Sequence, residues 1–285
     1  MGIDSPRVVA TRAELRAALA SAARPIGFVP TMGALHAGHG SLLRRARSEN
    51  AIVVASIFVN PTQFDRPGDL AAYPRTNAAD LDLCRREGVD IAFVPLVDEV
   101  HVPGATTTVH PGPIAGLLEG AARPGHFVAV ATVVAILIDL VGPERAYFGE
   151  KDAQQLLVVR RMARDLAMAV EIVGCPTVRD PDGLALSSRN ARLAADDRAA
   201  APVLRRALVA ARDAWVAGAR DADSLRATMR GVLAAEPRVR VDYVSVADAG
   251  TLAEVAGAID GDVLCSLAAE LGSVRLIDNE TLRAT

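Results

Sequence analysis

Up to about residue 180 the chain alternates short apolar runs with helical stretches, and this alternation restricts the fold more than any other feature. Residues 26–29 form a strand-length run ending at Pro30. Residues 52–59 (IVVASIFV) read as a fully buried strand, closed by Asn60-Pro61 because proline cannot continue a central ladder. Further strand-length runs lie at 91–94, 146–148 and 170–173. Between them the spacing predicts helices at about 41–48, at 77–87 ended by Gly88, and at 153–166. Periodicity cannot separate helix from strand for the apolar run 127–141; its length favours a helix, ended by Gly142-Pro143. Strands separated by helices of this size imply an α/β fold with a parallel, doubly wound sheet. Such sheets bind ligands at the carboxyl ends of their strands.

Beyond residue 182 the pattern changes. Two Ala- and Arg-rich amphipathic helices are predicted at 194–216 and 222–235, then strands at 239–246, 263–267 and 274–277. The expectation is therefore a Rossmann-like domain over 1–182 and a smaller α+β domain over 183–285.

Composition narrows the function classes. Thirty-one Lys+Arg against 34 Asp+Glu give a net charge of −3, which disfavours a non-specific nucleic-acid binder. With 51% hydrophobic residues but only 4% aromatic, the core must be built from Ala, Val, Leu and Ile. Cys84, Cys175 and Cys265 are widely spaced and odd in number, so they read as core thiols rather than a disulfide framework or zinc site. The mixed, charged N-terminus is unlike a signal peptide. The 127–141 run is shorter than the ~20 residues needed to span a bilayer. A soluble, cytoplasmic protein with no membrane partner is expected.

The densest cluster is Met32-Gly33-Ala34-Leu35-His36-Ala37-Gly38-His39, where the first apolar run meets the first helix. Glycines let a ligand approach the backbone, amides at a helix start face an anion, and two imidazoles three residues apart can face the same side of a turn. In an ordinary turn these histidines would cap or pack; two of the five histidines together with two glycines favour a ligand site. No zinc ligand set completes them, and neither a P-loop nor a G-x-G-x-x-G is present.

Gly149-Glu150-Lys151-Asp152 follows another strand end, where Lys151 suits a phosphate and Asp152 a helix cap, ribose or metal. Leu186-Ser187-Ser188-Arg189 supplies two hydroxyls and a guanidinium for a polyphosphate. Asn60 and Gln63, in NPTQF, add neutral amides for a small polar substrate, and Gln154-Gln155 face the same crevice on at least one side. Tyr73-Pro74-Arg75 and the 123–127 segment RPGHF are weaker candidates that could equally shape loops.

Taken in order, VPTMGALHAGH, SIFVNPTQF, AYPRT, LEGAARPGHF, AYFGEKDAQQL, GCPTVRDPDGLALSSRN and RLIDN resemble the pantoate–β-alanine ligase family of the H-x-G-H nucleotidyltransferase superfamily, across nearly the whole chain. The resemblance implies a Rossmann-like domain, a C-terminal lid, a homodimer, and conversion of ATP, (R)-pantoate and β-alanine into pantothenate, AMP and pyrophosphate with Mg²⁺. It implies that Met32 to His39 line the ATP site, with His39 as catalytic histidine, joined by Gly149, Glu150, Lys151, Asp152, Val178, Leu186, Ser187, Ser188 and Arg189. It also implies that Gln63 contacts pantoate and β-alanine, and Gln155 pantoate.

Pantoate's carboxylate is ionised at neutral pH, so adenylation needs no base; it needs positioning and donors for developing phosphate charge. His36, His39 and Lys151 head those donors. Ala37, Gly40, Ala129, Ile136 and Ala153 depart from the family pattern. They keep two alternatives in view: a related nucleotidyltransferase with an altered acid, amine or phosphorylated acceptor, and a silent binding protein.

Overall fold

The computed structural model describes residues 5–64 and 67–284. By contact density the chain divides into two compact units. One comprises Met1–Glu150 and Gln154–Pro176; the other comprises Lys151–Ala153 and Thr177–Thr285.

The first unit runs β1 (Arg7–Val9), α1 (Arg12–Leu19), β2 (Ile26–Thr31), α2 (Ala37–Glu49), β3 (Ile52–Ile57), α3 (Pro67–Ala71), α4 (Asn77–Arg86), β4 (Ile91–Phe93) and α5 (Val97–Val100). It continues through α6 (Leu118–Ala122), α7 (His126–Val141), β5 (Arg145–Gly149), α8 (Ala153–Asp165) and β6 (Glu171–Cys175). The strands form one six-stranded parallel sheet in the order β1-β4-β3-β2-β5-β6. Strand order reverses at β2, where β3 lies to one side and β5 to the other. The turn after β2 thus leaves the sheet at its topological switch point.

Alternating strand residues feed two cores. Phe28, Val54, Ala146 and Phe148 pack with α7 and α8 residues such as Leu137 and Val159. Val29, Val53, Ala55 and Tyr147 pack with Leu43 of α2 and Cys84 of α4. Apolar side chains on both faces explain why these strands read as continuous hydrophobic runs. The 127–141 run is indeed a helix, α7, bounded by Gly125 and Gly142 in left-handed conformation.

β2 extends through Pro30 to Thr31, beyond the expected end at Pro30. Pairing between β2 and β5 stops at Phe28, and the Thr31 carbonyl accepts from Phe58 on the β3 side. The Pro30 nitrogen therefore points where no ladder continues. β1 and α1 were not expected from the pattern. β1 is a three-residue strand beside β4, and α1 is announced only by a Thr11–Glu14 capping box.

The second unit carries α9 (Ala195–Ala200), α10 (Val203–Val216), α11 (Ala222–Ala234), β7 (Val239–Asp248), β8 (Val263–Leu271) and β9 (Val274–Leu282). Its antiparallel sheet runs β7-β8-β9, with Leu204, Leu208, Leu225 and Met229 buried against strand residues Val246, Leu267 and Leu276. The helix expected over 194–216 is two helices, because Pro202 lacks the N–H that would continue α9.

Candidate active site

The switch-point turn is built residue by residue. Thr31 Oγ1 donates to the Ser56 carbonyl at 2.7 Å and accepts from Gly33 N at 3.2 Å. Gly33 then takes φ +79° and Ala34 φ +50°. These angles turn the amides of Ala34 and Leu35 onto the carboxylate of Asp80 in α4, at 3.0 and 2.8 Å. Asp80 is only 1% exposed, and Thr76 Oγ1 donates to it at 3.0 Å. A Cβ on Gly33 would sit 3.0 Å from that carboxylate and 3.2 Å from Ile57. Gly33 is therefore required by the turn and by Asp80, independently of any ligand. Asp80 is a positioning residue that the sequence reading missed. Its return to the turn is visible only in three dimensions.

The two histidines cap α2 and pair with each other. His36 Nδ1 accepts from Gly38 N at 3.1 Å, His39 Nδ1 accepts from His36 N at 3.2 Å, and the ring centroids are 4.2 Å apart. A neutral imidazole that accepts at Nδ1 must carry its proton at Nε2. Both rings are thus held as Nε2–H donors at a helix N-terminus, the polarity an anion requires. The capping and ligand readings of these residues coexist in one geometry.

Asn60 and Gln63 occupy a turn after β3. Asn60 is 1% exposed; its Oδ1 accepts from Thr62 Oγ1 at 2.9 Å and meets His101 Nε2 at 2.9 Å, while its Nδ2 donates to Gln63 Oε1 at 3.1 Å. Gln63 Nε2 reaches Met32 Sδ at 2.8 Å, tying this turn to the first motif. The Gln63 carbonyl accepts from Arg123 Nη2 and from His126 Nδ1, both at 3.0 Å. The RPGHF segment therefore braces Gln63. Burial holds the His101 pKa below its usual 6.5, keeping it neutral with Nε2–H toward Asn60.

Gln154 is buried, with its amide holding the Ile114 and Leu117 carbonyls and the Glu119 N–H at 2.9, 2.7 and 3.0 Å, whereas Gln155 is half-buried. Gln154 thus braces the loop before α6. Gly149 ends β5 with open space where a Cβ would stand, and Glu150 follows it.

Lys151, Asp152, Val178, Leu186, Ser187, Ser188 and Arg189 belong to the second unit. Leu186 N donates to the Val178 carbonyl at 2.9 Å, closing a hairpin whose turn holds Gly183 at φ +92°. Ser187 caps the next turn, accepting from Arg189 N at 3.2 Å, which leaves its O–H as donor. The Lys151 side chain is 15% exposed, with Asp152 Oδ1 at 3.8 Å. Lys151 is the only lysine in the chain; the other thirty of the 31 Lys+Arg are arginine. That signal lies in the sequence itself, outside the motifs.

Among the departing positions, Gly40 leaves space that a Cβ would contest with Glu87 Oε1 at 2.9 Å, where Glu87 pairs with Arg44. Ile136 packs against the α7 core. The three cysteines are buried, and burial raises Cys84 and Cys265 to about 12 and Cys175 to about 11, so they are unreactive thiols. Among the described residues no three His, Cys, Asp or Glu gather to hold a metal, and no helix is long and apolar enough to cross a membrane.

Residues 7–281 match the family model for pantoate-beta-alanine ligase. A pantothenate synthetase from Roseiflexus sp. (strain RS-1) is 55% identical over 278 residues, covering 98% of this chain and 100% of the relative. The crystal structure of pantothenate synthetase from Thermus thermophilus superimposes with a TM-score of 0.91 at 50% identity, over 96% of this chain and 98% of that one. A pantoate-beta-alanine ligase from Francisella tularensis, solved with beta-gamma ATP and beta-alanine, gives a TM-score of 0.79 at 33% identity over 96% and 97%. On a match that spans both units, this chain belongs to the pantoate–β-alanine ligase family, the pantothenate synthetases.

Proposed function

We propose that the chain joins (R)-pantoate to β-alanine in two steps, through a pantoyl adenylate. A carboxylate oxygen of pantoate attacks the α-phosphorus of ATP, the bond to the β-phosphate oxygen breaks, and pyrophosphate leaves. The neutral amine of β-alanine then attacks the acyl carbon and AMP leaves. The observation that carries this reading is the histidine pair at the start of α2, whose Nδ1 atoms accept backbone N–H groups so that the ring N–H of each lies at Nε2. Donors fixed in place stabilise charge on the transferring phosphoryl group without reorganising during the reaction.

In this reading Met32 to His39, Gly149, Glu150, Lys151, Asp152, Val178, Leu186, Ser187, Ser188 and Arg189 contact ATP, with His39, His36 and Lys151 acting on the phosphates. Gln63 contacts pantoate and β-alanine, and Gln155 contacts pantoate. Asn60 acts through Gln63, since its buried amide is engaged by its neighbours. Mg²⁺ enters as the MgATP substrate. The enzyme is further proposed to be a cytoplasmic homodimer; light scattering on the purified chain checks the dimer.

Pantoate labelled with ¹⁸O in its carboxylate tests the mechanism. Passage through the adenylate places ¹⁸O in AMP, and unlabelled AMP alongside labelled pantothenate would exclude it.

A further inference from the structure

Two adjacent residues of β9 secure two separate segments of the second unit. Neighbouring strand residues project to opposite faces. Asp278, 3% exposed, receives Arg179 through both guanidinium nitrogens at 2.6 and 2.9 Å. Arg179 also donates to the Gly183 carbonyl at 3.2 Å, so this ion pair pins the hairpin that leads into Ser187. Asn279 Nδ2 donates to the Lys151 carbonyl at 2.8 Å. The Asn279 N–H itself meets Asp278 Oδ1 at 2.9 Å, so both anchors share one stretch of backbone.

We infer that Asp278 and Asn279 are positioning residues for the polyphosphate, setting the Lys151 ammonium and the Ser187–Arg189 donors in one fixed arrangement. The inference rests on the reading of those donors as ATP contacts. A buried, two-pronged Arg–carboxylate pair fixes geometry more than it adds stability. A lysine presents its charge on a flexible four-carbon stem, so the ammonium is placed only as well as the backbone it starts from. Small misplacements of reacting groups are expensive in rate, about 10²-fold for 1 Å. Asn279 supplies the backbone anchor of Lys151 from a strand 128 residues away in sequence.

Because Lys151 is the only lysine, acetylation of the full-length protein by an amine-selective reagent reads this one side chain by peptide mass spectrometry, with the chain terminus as the other amine. In the wild type, MgATP protects Lys151. In Asn279→Ala and in the isosteric Asn279→Asp, which loses the donor but keeps the size, the loss of one hydrogen bond shifts the half-protecting ATP concentration and the KM for ATP upward by about tenfold. KM for β-alanine and the melting temperature stay close to wild type. Unchanged protection and KM for ATP overturn the inference. So does a fall in activity that follows only the folded fraction. A wild type that makes no pantothenate and gains no protection from ATP overturns the functional reading, and the inference with it.

Discussion

His39 carries a structural task beside its proposed catalytic one, because its Nδ1 accepts the His36 N–H and helps cap α2. His39→Ala therefore removes a donor and a cap at once. Asn at this position can still accept that N–H while presenting no imidazole. We expect His39→Ala and His39→Asn to slow pantoate-dependent ATP–pyrophosphate exchange by a similar ~10²–10³-fold. Only the alanine variant should also lose about 1 kcal/mol of stability. Denaturant unfolding beside the exchange assay checks both halves. Asp80→Asn acts on the same turn from behind. It keeps one acceptor for the two amides of Ala34 and Leu35, so KM for ATP rises and stability falls by about 1–3 kcal/mol, read from the same two measurements. His36, His39 and Gln63 were legible in the sequence because their spacing and neighbours are unusual. Asp80 was not, since an aspartate inside an ordinary helix carries no local mark of the turn it serves.

Elements whose faces are both buried were the most legible. β3 and β5 announce themselves by continuous apolar runs and fall within about two residues of them, β3 stopping at Ile57 rather than at residue 59. The run of α7 marked its place, and only its length its type. What was lost were short pieces held by tertiary contacts, such as β1, and the interruption at Pro202, which the Ala-rich pattern on both sides concealed. The loop before α6 shows the same limit: its order comes from one glutamine on α8. Gln154→Ala takes away the side-chain partner of the Ile114 carbonyl and the Glu119 N–H, while the Leu117 carbonyl keeps its bond from the Gly120 N–H. We expect hydrogen exchange at the Glu119 amide to accelerate by at least about tenfold, with about 1–3 kcal/mol lost overall. Unchanged exchange at Glu119 would contradict the bracing role.

At the scale of the whole molecule, pH acts through carboxylates held by arginines. The hydrogen bond from Arg198 holds the Asp182 carboxyl below its ordinary 3.8. A folded value below the unfolded one means that the unfolded chain binds the proton first as pH drops. The stabilisation is therefore complete above the ordinary carboxylate range and disappears as pH falls through the lowered value. Asp182→Asn should lower the melting temperature at pH 7 and flatten its fall below about pH 4, whereas a parallel acid limb in mutant and wild type would refute the assignment. The single lysine bears on the molecule's chemical durability. A pantoyl adenylate is an acylating agent for amines, and a guanidinium, which stays protonated in proteins, is a poor target. With thirty arginines and one lysine, 15% exposed, this enzyme offers its own activated intermediate almost nothing to acylate. One half-buried side-chain amine is thus all that the chain offers to an acyl adenylate.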